Sequence, residues 1–91
     1  MRQRAGWMTS SDDTILELLE ESGLALNKKA MHVNFKARGI SISYNTIKRR
    51  IPKLADAGLV EELDDEPSYC RITDEGLAYL DGDHQPSDEL G

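Results

Sequence analysis

Cysteine occurs once in the sequence, as Cys70. An intrachain disulfide is therefore excluded and a cysteine-built metal site is not expected. A free thiol suits a reducing, intracellular setting. No apolar run approaches the ~18 residues that a membrane span requires, and no signal peptide is visible, so a soluble, cytoplasmic chain is expected. The two histidines, His32 and His84, stand alone without paired ligand spacing, which gives no metal site. No glycine-rich phosphate loop, Ser/His/Asp set or cleft-forming acid pair can be assembled from the residues present. Catalysis is not expected, and neither a cofactor nor a small-molecule ligand is evident. The 91 residues suffice for one small domain with a limited core.

The most informative absence is local. Residues 27–55 contain no Asp or Glu, yet they carry eight cations: Lys28, Lys29, Lys36, Arg38, Lys48, Arg49, Arg50 and Lys53. The rest of the chain holds three arginines against 17 acids, a net −14 around a stretch of +8. The formal charge of −6 argues against a nucleic-acid partner, but a partner meets the local field, and segregation matters more than the total. We read the stretch as a basic face. The acidic remainder has the composition of proteins from very salty cytoplasms.

Hydrophobic periodicity and turn residues predict helices over residues 11–22, 28–38, 44–57 and 74–81, with strands at 59–63 and 68–72. Ser10 with Asp13 resembles a capping box for the first helix, and Asp12 and Asp13 suit its positive end. Ile15, Leu18 and Leu19 form its apolar face, and Gly23 ends it. Asn27 caps the second helix, in which Met31 and Phe35 share a face. "GISI" (39–42) is a connector or a brief strand. Ser43 opens the third helix and Gly58 closes it. "DDEP" (64–67) turns between the strands, and Thr73 caps the last helix. Residues 1–9 form an N-terminal arm, in which Trp7 and Met8 are expected to cover the core. Residues 82–91 are polar, with Gly and Pro, and are expected to be a disordered acidic tail. Three helices followed by a two-stranded hairpin is the plan of a winged helix-turn-helix, an α+β fold that is mostly α, spanning residues 10–81; its third helix enters the DNA major groove.

A helical wheel divides that third helix. At about 100° per residue, Ile51 and Leu54 fall close to Ile47 and define a buried line. Asn45 and Arg49 lie opposite, flanked by Thr46, Lys53 and Lys48, with Tyr44 at the edge near the capping Ser43. Asn bonds adenine bidentately and Arg does so with guanine, so Asn45 and Arg49 are the expected base readers. Lys48, Arg50 and Lys53 are cast as phosphate contacts. Pro52 removes an amide donor late in the helix and predicts a kink or break there. Lys28 and Lys29 sit at the positive end of the second helix, unfavourable for the helix dipole but suited to phosphates; two solvated lysines are the plain alternative. Cys70 faces inward and reads as a small buried hydrophobe.

At this point three stretches carry a resemblance: "MRQRAGWMTSSDDTILELLEESGLAL", "SYNTIKRRIPKLADAGLV" and "YCRITDEGLAYLDG". Over about residues 1–82 the sequence resembles small haloarchaeal winged-helix DNA-binding proteins, similar to a halophilic phage repressor. Its most specific part is the ending formed by Tyr69, Arg71, Ile72, Thr73, Gly76, Tyr79 and Leu80. The resemblance implies a DNA-binding regulator of transcription, and with the basic third helix the expected function is sequence-specific binding of double-stranded DNA as a repressor. Palindromic sites call for a homodimer, for which the arm and the last helix are the candidate surfaces. One feature departs from the simple picture. Five of the six residues 61–66 are acidic, so the wing tip either faces away from DNA or serves a protein contact. The alternative function is accordingly a winged-helix protein-interaction module working through that wing. Tyr69 and Arg71, nearer the wing base, are candidate DNA contacts.

Overall fold

The computed structural model describes residues 2–88. The elements are α1 (Ser10–Ser22), β1 (Leu26–Asn27), α2 (Lys28–Ala37), α3 (Tyr44–Asp56), β2 (Val60–Glu62), β3 (Tyr69–Ile72) and α4 (Asp74–Leu80). The three strands form one antiparallel sheet in the order β1-β3-β2, with Leu26 opposite Cys70 and Glu61 opposite Arg71. This is the winged helix-turn-helix arrangement expected from the sequence.

Each helix begins where a side chain can satisfy the free amides of the first turn. Asn27 accepts from Ala30 N at 2.7 Å, Ser43 from Thr46 N at 3.1 Å and Thr73 from Gly76 N at 3.1 Å. In α1 the cap is Thr9, one residue earlier than expected. Its backbone N–H donates to the Asp12 carboxylate at 2.9 Å, so Asp12, and not Asp13, closes the box. The helices bury one shared cluster: Ile15, Leu16, Leu18 and Leu19 from α1, Met31 and Phe35 from α2, and Ile47, Ile51 and Leu54 from α3. Burying each such side chain stabilises the fold by about 1.5–3 kcal/mol before conformational entropy is counted.

The structure adds detail at four places. A third strand exists, β1, whose two residues reach ladder pairing only because β3 lies alongside. "GISI" forms no strand; Ile40 and Ile42 instead pack on the core from an irregular turn. Pro52 sits inside α3, and the helix runs on to Asp56; the ring is exposed, so it removes one amide donor without colliding with the core. The fourth place is the stretch expected to be a disordered tail. Residues 82–88 return to the arm: Trp7 Nε1 donates to Ser87 O at 2.8 Å, Gly6 N donates to Asp88 Oδ1 at 2.6 Å, and Pro86 is buried. Polar composition alone does not register such single bonds. The remaining part of that expectation, residues 89–91, lies outside the described residues.

The arm is likewise held in place. Arg2 donates to Leu80 O at 3.1 Å and pairs with Glu17 at 2.9 Å, Arg4 pairs with Asp13 at 3.0 Å, and Trp7 packs against the core. The "RIT" ending explains itself as a joint. Thr73 Oγ1 donates to Gly58 O at 2.5 Å, and Thr73 N donates to Leu59 O at 3.1 Å. A Cβ on Gly76 would lie 2.3 Å from Leu59 O. Tyr79 is fully buried and its hydroxyl donates to Asp13 at 2.5 Å. Motif residues thus fasten α4 to the end of α3 and to α1.

Candidate nucleic-acid interface

The buried line on α3 is as the wheel has it: Ile47, Ile51 and Leu54 are all inside. Asn45, Lys48 and Arg49 therefore face solvent together, and with Ser43 they line one open hollow. Tyr44 is 41% exposed and stands at the head of the helix, its ring edge-on to His32 of α2 with centroids 6.2 Å apart. On its other side a groove of about 160 Å³ is lined by Asn27, Lys28, Lys29, Tyr44 and Ser68. The start of α2, the start of α3 and the base of the wing thus meet at one place. Tyr69, half-buried, lies opposite Asn27 at this flank. Ser43 and Thr46 are turned to each other, hydroxyls 3.0 Å apart, and serve the cap.

The pairing of charges separates the cations into two groups. Arg2, Arg4, Arg38, Arg50 and Arg71 each form a salt bridge. Among the described residues, Arg49 is the arginine without one, and none of Lys28, Lys29, Lys36, Lys48 and Lys53 has a salt bridge or side-chain hydrogen bond either. An exposed helix ordinarily mixes both signs and pairs them; this surface leaves its cations uncompensated although 17 acids are available in the chain.

Two of the expected contacts have acidic partners within the chain. Arg50 does not reach outward. Its Nε and Nη2 donate to the two oxygens of Asp12 at 2.8 and 2.7 Å, and Nη2 also donates to Trp7 O at 3.0 Å. The guanidinium carbon stands 5.9 Å from the Trp7 ring centroid. The hydrogen bond to Asp12 foremost, opposed by desolvation, pushes the Arg50 pKa up, so the group stays charged in a nearly closed site. The wheel held the signal: Arg50 lies only about 60° from Ile47, on the margin of the buried line. Arg71 is the second case. It stands opposite Glu61 in the sheet and pairs with it at 2.6 Å, in a hollow that also includes Asp74 and Glu75. That acidic setting repels phosphate.

The buried acids escaped sequence reasoning. Asp12 and Asp13, read as favourable charges for the helix dipole, are 0% and 8% exposed. Apart from Thr9 N within the cap, their partners are Arg50 for Asp12 and Arg4 and Tyr79 for Asp13, which no local pattern connects.

This geometry finds its counterpart among known proteins. Residues 1–91 match the family of winged helix-turn-helix phage repressors. The chain belongs to that family. The fold is also that of the PhiH1 repressor-like protein from Haloarcula marismortui, known from its crystal structure: identity is 39%, the TM-score is 0.76, and the match covers 90% of this chain and 86% of that one. No curated protein matches. Membership places the chain among winged-helix regulators and not among enzymes. No helix of the described residues is long and apolar enough to cross a membrane.

Proposed function

We propose that this phage-repressor relative is a sequence-specific, double-stranded DNA-binding transcriptional regulator, acting as a repressor in the cytoplasm of a halophilic archaeon. α3 enters the major groove. Asn45 and Arg49 read base edges, Tyr44 and Thr46 border them, Lys48 and Lys53 hold phosphates beside the groove, and Lys28 and Lys29 hold them at the start of α2, with Tyr69 at the flank. The observation that carries the reading is the set of uncompensated cations confined to residues 27–55. A palindromic operator calls for two copies. The arm and α4 are adjacent, joined by the bond from Arg2 to Leu80 O, and form the face proposed for the homodimer, which sedimentation of the free protein tests directly.

Selection of bound duplexes from a random pool supplies the operator and the test. The selected duplex should bind at least ~10³-fold more tightly than random DNA, with affinity falling steeply as salt rises because counterions are released at each phosphate contact. Arg49→Ala should lose ~5- to 150-fold on the selected duplex and relax the preference at one base pair. The competing reading is a protein-interaction module acting through the acidic wing, of whose five acids only Glu61 is salt-bridged among the described residues. Absence of duplex binding at every salt concentration would favour it.

A further inference from the structure

Arg50 belongs to the reading helix but faces its interior side. Its partner Asp12 is fully buried, and the Arg50 side chain itself is only 15% exposed. Such a pair contributes little net stability over an apolar pair of equal volume, because desolvating both ions offsets their attraction. What it supplies is direction. A guanidinium fork closes on a carboxylate in one plane, and here both arms of the fork are engaged while Trp7 O takes a further bond and the indole covers the cation. Asp12 is fixed in turn by Thr9 N, and no buried polar side-chain atom among the described residues lacks a partner. The apolar contacts of Ile47, Ile51 and Leu54 are non-directional and tolerate some roll of α3 about its axis. The fork does not. Asn45 and Arg49 project from the other side of that axis, so roll converts directly into displacement of the base-reading groups.

We propose that Asp12, Arg50 and Trp7 form an orienting clamp: Arg50 is a positioning residue that sets the roll of α3 against α1, and through it the discrimination between DNA sequences. The proposal rests on the reading that α3 contacts DNA, and it gives Arg50 no phosphate.

The test uses the full chain with Asp12→Leu and Arg50→Met combined, so that neither ion is left unpaired. The urea midpoint should fall by no more than the lost cap on Thr9 N accounts for, and the affinity ratio between selected and random duplex should fall about tenfold or more. The slope of log affinity against log salt should not change, since no phosphate contact is removed. An unchanged ratio overturns the clamp. A slope reduced by about one with the ratio intact would also overturn it, because Arg50 would then be a phosphate contact. Should the double variant not fold, Arg50→Lys keeps the charge but lacks the fork; the same loss of discrimination is expected, and wild-type discrimination in that variant overturns the proposal. Wild type and Arg49→Ala accompany each measurement. If wild type discriminates, Arg49→Ala does not and the clamp variants do, the clamp alone fails. If wild type binds no duplex, the DNA reading fails and the clamp falls with it.

Discussion

Single atoms decide several positions in this chain. Gly76 is one. A methyl group there would lie 2.3 Å from the Leu59 carbonyl and 2.6 Å from Ile72 Cγ1. The backbone must move to admit it, so Gly76→Ala is expected to destabilise the fold by about 1–3 kcal/mol in urea unfolding. Cys70 makes a second prediction. Burial pushes its thiol from an ordinary value of 9.0 up to about 11, so the folded state holds the proton more tightly than the unfolded chain. The corresponding stability is complete below pH 9 and lost as the pH rises toward 11. Urea midpoints measured across that window should fall less in Cys70→Ala than in wild type. At pH 8 a disulfide reagent should label wild type only as fast as the protein opens. The inward orientation of Cys70 was legible from strand alternation. The burial of Asp12 and Asp13 was not, because the dipole rule and a buried ion pair ask for the same residues at a helix start.

At the scale of elements, legibility follows the range of the interactions. α3 could be read closely because its face is set by its own periodicity, and the caps at Asn27, Ser43 and Thr73 are local. Ser43→Ala should therefore lower stability by about 1 kcal/mol. It should also weaken DNA binding, because the cap fixes the turn that presents Tyr44 and Asn45. At Pro52, where a kink or break was expected, the helix is not broken. Proline is unfavourable in a helix interior by about 3 kcal/mol against alanine, and its ring here is exposed with no core contact to lose. Pro52→Ala is thus expected to raise the thermal midpoint while leaving duplex affinity unchanged. β1 was out of reach of any local rule. Leu26 and Asn27 carry no strand pattern, and their pairing is dictated by Cys70 and Tyr69, more than forty positions along the chain.

The whole molecule joins a basic segment to an acidic remainder, and the segregation by sequence becomes a segregation by commitment. Arginines outside that segment are tied to acids; among the described residues its own cations, Arg50 and Arg38 apart, are not. The family ending illustrates the same division. Its residues carry the resemblance, and Thr73, Gly76 and Tyr79 among them hold elements together, whereas the residues proposed to touch DNA lie largely elsewhere.

The acidic wing has a consequence that needs no partner. β1 and β2 are the two rims of the sheet, two and three residues long. A free rim offers unpaired backbone groups to any other extended chain, and short, charged rims resist such pairing. Glu61 and Glu62 make up most of β2 and are exposed. In concentrated solution, their repulsion opposes the addition of one copy's strand to another's. Replacing both by valine (E61V, E62V) should turn a monodisperse solution into one whose light scattering climbs with concentration, even with the fold and α3 intact.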